Sequence, residues 1–206
     1  MEQKNKKIIA IAFVALVILA GIVVINIMGF NKELKFEQSQ SFDIYTEQKV
    51  DNHKLQETID EFLGTNNMVQ TIEVYEDMFT IRAKSITDEQ KNNIINKVKE
   101  SYEFEQKAEE TTIETIPSTR IRDMYKQYVL PYAISGVLVV AYMLIRYYEK
   151  GILKVLLNAI FVPVVAELLL LSWMAIVRLP IGRFTPALVI LVYVASVWYT
   201  MKRIEK

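Results

Sequence analysis

The sequence predicts an α+β membrane protein, with four transmembrane helices and one small extracytoplasmic domain between the first and second of them. Three observations predict it. Four apolar runs are long enough to cross a bilayer, given about 1.5 Å rise per helical residue and a hydrocarbon core of roughly 30 Å. Charged residues make up 23% of the 206 and hydrophobic ones 52%, yet the two are segregated, with the charges concentrated in the middle of the chain. That middle stretch then alternates apolar and polar residues with the periods of strands and amphipathic helices.

The first apolar run, Ile8 to Met28, follows MEQKNKK and carries no charge. It is too long for a signal-peptide core and has no small-residue cleavage pattern after it, which predicts a retained signal-anchor helix. The second, Val129 to Ile145, has Pro131 near its start and tyrosines 128, 132, 142, 147 and 148 as interfacial anchors. The third is VLLNAIFVPVVAELLLLSWMAIV, Val155 to Val177, and the fourth runs from Phe184 to Met201, with Pro186 in its first turn, where proline is tolerated. The expected division is 1–7 as the N-terminus, 8–29 as the first helix, 30–120 as the extracytoplasmic domain and 121–206 as a three-helix bundle. The spans of that bundle fall at 129–147, 155–177 and 184–201.

Cations set the expected direction. Lys4, Lys6 and Lys7 precede span one, Arg146, Lys150 and Lys154 separate spans two and three, and Lys202, Arg203 and Lys206 follow span four. With four spans all three clusters share one side, the cytoplasmic side by the positive-inside rule. Arg122, Lys126, Arg178 and Arg183 fall on the other side. A multi-pass protein of the cell membrane is expected, both termini cytoplasmic and 30–128 outside.

Within the external segment, Leu34-Lys35-Phe36 and Phe42-Asp43-Ile44-Tyr45 predict one strand or an interrupted pair. Leu55, Ile59, Phe62 and Leu63 stand at i, i+4, i+7 and i+8, one face of a helix that Gly64 caps. Met68–Tyr75 and Met78–Ala83 alternate as strands through Ile72, Val74, Phe79 and Ile81, with Glu76-Asp77 as the tight turn between them. Thr87 and Gln90 form a capping box ahead of a helix whose apolar face is Ile94, Ile95, Val98 and Tyr102. A last extended piece falls between Glu103 and Ile116, ended by Pro117. The order is β-α-β-β-α-β, the split-βαβ or ferredoxin-like arrangement, which hosts many functions and by itself names none.

Composition excludes several chemistries. There is no cysteine, so disulfides, zinc–thiolate sites and cysteine nucleophiles are ruled out, and a single histidine, His53, rules out a histidine-rich metal site. From Lys32 to Arg120 stand 19 acidic and 11 basic side chains, a net of −8 that disfavours nucleic acid. No phosphate loop, nucleophile elbow or HExxH motif is present, and acid pairs such as Glu109-Glu110 and Glu76-Asp77 read as solvated edges and turns. No catalytic residue, metal site or small-molecule cofactor is expected, and the protein is not read as an enzyme.

One residue stands out. Glu167 lies near the middle of the third span, where an ionised carboxylate costs at least about 2.5–3.5 kcal/mol. Two readings stay open: a proton-responsive or partner-pairing site, or a protonated acid bonded to a neighbouring helix and holding the bundle together. Pro163, one turn earlier, removes a hydrogen bond to the Ala159 carbonyl and should kink the helix beside the carboxyl. Asn26 and Asn158 are expected to make interhelical hydrogen bonds. Ser196 is a polar intramembrane residue of the fourth span, and the remaining span tyrosines and tryptophans are read as interfacial belt or packing.

The plan of one span, a ferredoxin-like external domain and a helical bundle resembles the SecD and SecF subunits of protein export, and local residues favour SecF. Ile116 to Tyr148 is similar to the family's segment leading into its second span, with Pro117 and Ile145-Arg146-Tyr147 where the family has Gly-Pro and Ile-Arg-Phe. The third span is similar to the one carrying the family's His-Asp pair, with Ala166 in place of the His and Glu167 keeping a carboxylate. The fourth matches at Arg203-Ile204, while Ala195-Ser196 replace an Asn-Asp pair and Lys202 an Asp. Lys35-Phe36-Glu37-Gln38-Ser39 departs from the family's Asp-Phe-x-Gly-Gly box, and four spans stand where SecF has six. The resemblance implies an accessory export subunit linked to the proton-motive force through Glu167, working in the bilayer with a SecD-like subunit or Sec translocon components that supply further helices. The other expectation is a non-transporting scaffold whose external domain binds a partner protein.

Overall fold

A computed structural model describes residues 2–46, 51–64, 67–72, 75–102 and 111–205. The chain divides into two compact units, Met1–Lys32 with Ile121–Lys206, and Glu33–Arg120.

In the second unit the elements run β1 (Ser39–Tyr45), α2 (Asn52–Leu63), β2 (Asn67–Ile72), β3 (Tyr75–Ala83), α3 (Asp88–Ser101) and β4 (Glu114–Ile116). They form one four-stranded sheet in the order β2-β3-β1-β4, and every pairing is antiparallel. Strand alternation puts Phe42 and Ile44 of β1 inside and Asp43 and Tyr45 outside. Phe79 and Ile81 of β3 join them, and α2 and α3 bury their stripes in the same core through Leu55, Ile59, Ile94, Ile95 and Val98. At about 1.5–3 kcal/mol for each fully buried large side chain, this cluster is what holds the unit together. The helix ends follow their sequence signals. Asp51 caps α2 by accepting from the His53 N–H, and Gly64 ends it with φ +71°. Thr87 and Gln90 make a reciprocal capping box on α3.

Two local expectations change. Leu34-Lys35-Phe36 is a turn, closed by the Phe36 and Glu37 N–H groups donating to the Glu33 carbonyl, so the first strand begins only at Ser39. Three alternating residues are too few to outweigh a local turn. Glu76 and Asp77 lie inside β3 rather than in the hairpin turn, because Ile72 pairs directly with Tyr75. Val74, like Glu109-Glu110, lies outside the described residues. A register shift at Thr71/Ile72 accommodates the unequal strand lengths.

The first unit holds α1 (Glu2–Met28), α4 (Ile121–Arg146), α5 (Ile152–Ile176) and α6 (Thr185–Glu205), each long and apolar enough to span a membrane. Their side chains are largely exposed, as lipid-facing helices require, and the architecture is that of a multi-pass membrane protein. Helix α5 is central and packs closely on α1 and α6. Where α1 crosses α5, a methyl group on Gly21 would overlap Ser172, and the Ser172 hydroxyl faces the Ile18 carbonyl at 3.4 Å. Only glycine permits that approach, the small-residue contact by which helices pack in lipid.

Helix α4 starts at Ile121, eight residues before the apolar run suggested, and Pro131 is its eleventh residue rather than one near its start. The segment Ile121–Tyr128 is amphiphilic, so hydropathy alone hides it. Helix α5 runs unbroken through Pro163.

At the end where α1 finishes, the bundle is tied by backbone and side-chain bonds. Arg178 donates to the Gly29 carbonyl at 2.7 Å, the Asn31 amide donates to the Arg178 carbonyl at 2.9 Å, and the Ile181 N–H donates to the Asn31 carbonyl at 2.8 Å. Tyr125 of α4 donates to the Gly182 carbonyl in the same α5–α6 turn. At the other end, the Tyr147 hydroxyl donates to Glu205 of α6 at 2.9 Å, and Arg146 and Lys202 flank that carboxylate.

Candidate functional site

Glu167 is the sixteenth of the 25 residues of α5, and Tyr132 the twelfth of the 26 of α4. Both are thus far from the helix ends. The Tyr132 hydroxyl donates to Oε1 of Glu167 at 3.2 Å. Oε2 is buried and has no hydrogen-bond partner among the described residues. A buried polar atom without a partner costs roughly 1–3 kcal/mol, so a carboxyl satisfied at one oxygen only is the place in this bundle where the polar accounting stays open.

The Tyr132 ring packs on that of Tyr193 from α6, with centroids 5.1 Å apart and planes tilted by 56°. Tyr193 reaches across to α4, where its hydroxyl sits in ordinary contact distance of the position a Cβ on Gly136 would take. Both tyrosines line an open, almost wholly apolar groove of about 950 Å³ between α4 and α6, with Leu171 of α5 also on its wall. Helices α4 and α6 touch only sparsely along it. On α6 the lining runs from Thr185 to Met201, a length of about 24 Å at helical rise.

Of the other residues singled out, Pro163 is buried on α5 one turn before Glu167. Asn158 does not bond another helix: its amide donates to the Lys154 carbonyl at 2.7 Å, one turn back on α5. Asn26 does the same with the Ile22 carbonyl of α1 at 2.8 Å. In an apolar medium an i−4 carbonyl is the nearest acceptor, and each asparagine takes it. Ser196 is buried on α6 and donates to the Tyr193 carbonyl, while its own carbonyl accepts from Thr200. The structure therefore brings Glu167 together with Tyr132 and Tyr193. Sequence reasoning had placed both tyrosines in the belt and packing class, because an α4 beginning at Val129 puts Tyr132 at the interface. The readable signal was the amphiphilic run Ile121–Tyr128, which lengthens the helix and moves Tyr132 inward.

Chemically the arrangement offers one carboxyl, one phenolic donor and a vacant acceptor, enclosed by apolar side chains. It can hold a proton or pair with one further donor. A search of family models finds no match for this chain, and a search of the curated proteins finds none either.

Proposed function

We propose that this protein is a SecF-like accessory subunit of the protein-export machinery, working with a SecD-like partner and linked to the proton-motive force through Glu167. The observation that carries the reading is the part-buried Glu167 carboxyl midway along α5, with one oxygen bonded to Tyr132 and the other buried without a partner among the described residues. A group that only stapled helices together would gain by satisfying both oxygens. Support also comes from the order of parts, one helix, a β-α-β-β-α-β domain with strand order β2-β3-β1-β4, then a helical bundle. That order of strands is the one a ferredoxin-like domain has. The proposed role is not enzymatic and calls for no cofactor.

The proposed placement is the cell membrane, both termini cytoplasmic and the sheet domain outside. The three cation clusters favour it, and Arg178, one of the cations on the opposite side, is engaged by the Gly29 carbonyl rather than left to set direction.

A second reading is a scaffold that moves no protons, in which Glu167 merely ties α5 to α4. The Tyr132 bond favours it. Glu167→Gln separates the two, since glutamine keeps an oxygen for the tyrosine but cannot exchange a proton. In cells that depend on this protein, measured by secretion of a reporter, the export reading predicts that Glu167→Gln behaves like the deletion. Secretion at the unmodified level would leave the scaffold reading standing alone.

A further inference from the structure

Glu167 is absent from the lining of the α4–α6 groove, whereas the tyrosine that bonds it and the tyrosine stacked on that one both belong to the lining. We infer that the Tyr132–Tyr193 ring pair is a shutter across this groove: it separates the Glu167 carboxyl from the lipid-facing opening, and a group entering laterally reaches Oε2 only when the two rings part. Three features make the pair separable. Tyr132 and Tyr193 come from helices that touch sparsely, so their rings bridge a gap rather than fill a packed core. The polar ties near the ends of α4, Tyr125 to Gly182 and Tyr147 just past its last residue to Glu205, hold it to α6 and the turn before it, whereas in the middle α4 meets α6 through the tyrosine rings and its polar tie there, Tyr132 to Glu167, goes to α5. Oε2 has no partner in the closed arrangement, so it is free to accept a donor once exposed.

Tyr193 is a positioning residue here, acting through its ring, and Tyr132 combines ring and hydroxyl. The groove runs about 24 Å along α6, more than one leaflet of a core roughly 30 Å thick, so an apolar molecule dissolved in the bilayer can enter it from the side. The inference rests on the reading of Glu167 as a working carboxyl, but its test needs no export partner, so the shutter and the export role can fail separately.

The test is the rate at which dicyclohexylcarbodiimide, an apolar carboxyl reagent, modifies Glu167 in the full chain in phospholipid nanodiscs, followed as adduct mass on the peptide that contains it. Tyr193→Ala removes one leaf of the shutter and should raise the rate roughly threefold to tenfold, the factor by which losing an aromatic pair raises an open population. Tyr193→Phe keeps the ring and should react at the unmodified rate. Val189→Trp, one turn away on α6, fills the groove and should return the Tyr193→Ala protein to the slow rate. Equal rates for the unmodified and Tyr193→Ala proteins, zero included, would overturn the inference. So would a Phe variant as fast as the Ala variant, or a groove-filled double variant that stays fast.

Discussion

A hydroxyl 3.2 Å from a carboxyl oxygen, part-buried among apolar helices, meets less competition than one in bulk water, and yet the unfolded helices in lipid find partners too. Hydrogen bonds between membrane helices therefore average about 0.6 kcal/mol and reach about 1.7 at most. Tyr132→Phe should cost the bundle an amount in that interval, read as a shift in the unfolding midpoint in mixed micelles, and a cost near zero would mean that the bond adds nothing to packing. The same residues show what could be read from sequence. Glu167 was legible because a lone acidic residue in a 23-residue, mostly apolar run must be protonated, paired or turned away from lipid. Its partner was not, because which tyrosine reaches it depends on where α4 begins and how it lies against α5, and neither follows from local composition. Asn158 and Asn26 illustrate the opposite error: polar residues in apolar runs invite an interhelical reading, but their own helices satisfy them first.

Among the elements, α1 and α5 depend on one close crossing. Gly21 meets Ser172 with no room for a side chain, so Gly21→Val must push the helices apart or rotate them. Overpacking of this kind costs about 1–3 kcal/mol, and the expected result is a lower unfolding temperature of the bundle. An unchanged unfolding temperature would contradict the crossing. In the sheet unit, elements were legible where capping and periodicity agree, as at Thr87–Gln90 and along Leu55, Ile59 and Phe62. They were misread where a pattern was short or where acidity suggested a turn: Leu34-Lys35-Phe36 turns, and Glu76-Asp77 extends. Strand order follows from no local pattern, since it is set by long-range pairing such as Phe42 with Ile81, and only the β-α-β-β-α-β order of elements bears on it.

At the scale of the whole molecule, the net charge of zero conceals a −8 segment between two cation-flanked membrane regions. That asymmetry is the basis of the proposed direction, and the absence of cysteine makes it easy to test. A membrane-impermeant maleimide added to intact cells should label Ser85→Cys in the loop before α3 and should label Glu149→Cys, between α4 and α5, only after lysis. The reverse pattern would invert the topology and put the acidic domain in the cytoplasm. On the proposed reading, the open groove and the carboxyl satisfied at one oxygen are surfaces that a partner subunit would meet in the bilayer. The most direct measurement is to extract the tagged protein from its native membrane into nanodiscs and identify by mass spectrometry what remains bound. The account predicts a SecD-like protein or the export channel at near-stoichiometric yield. Recovery of the chain alone, or of an unrelated membrane complex, would contradict it.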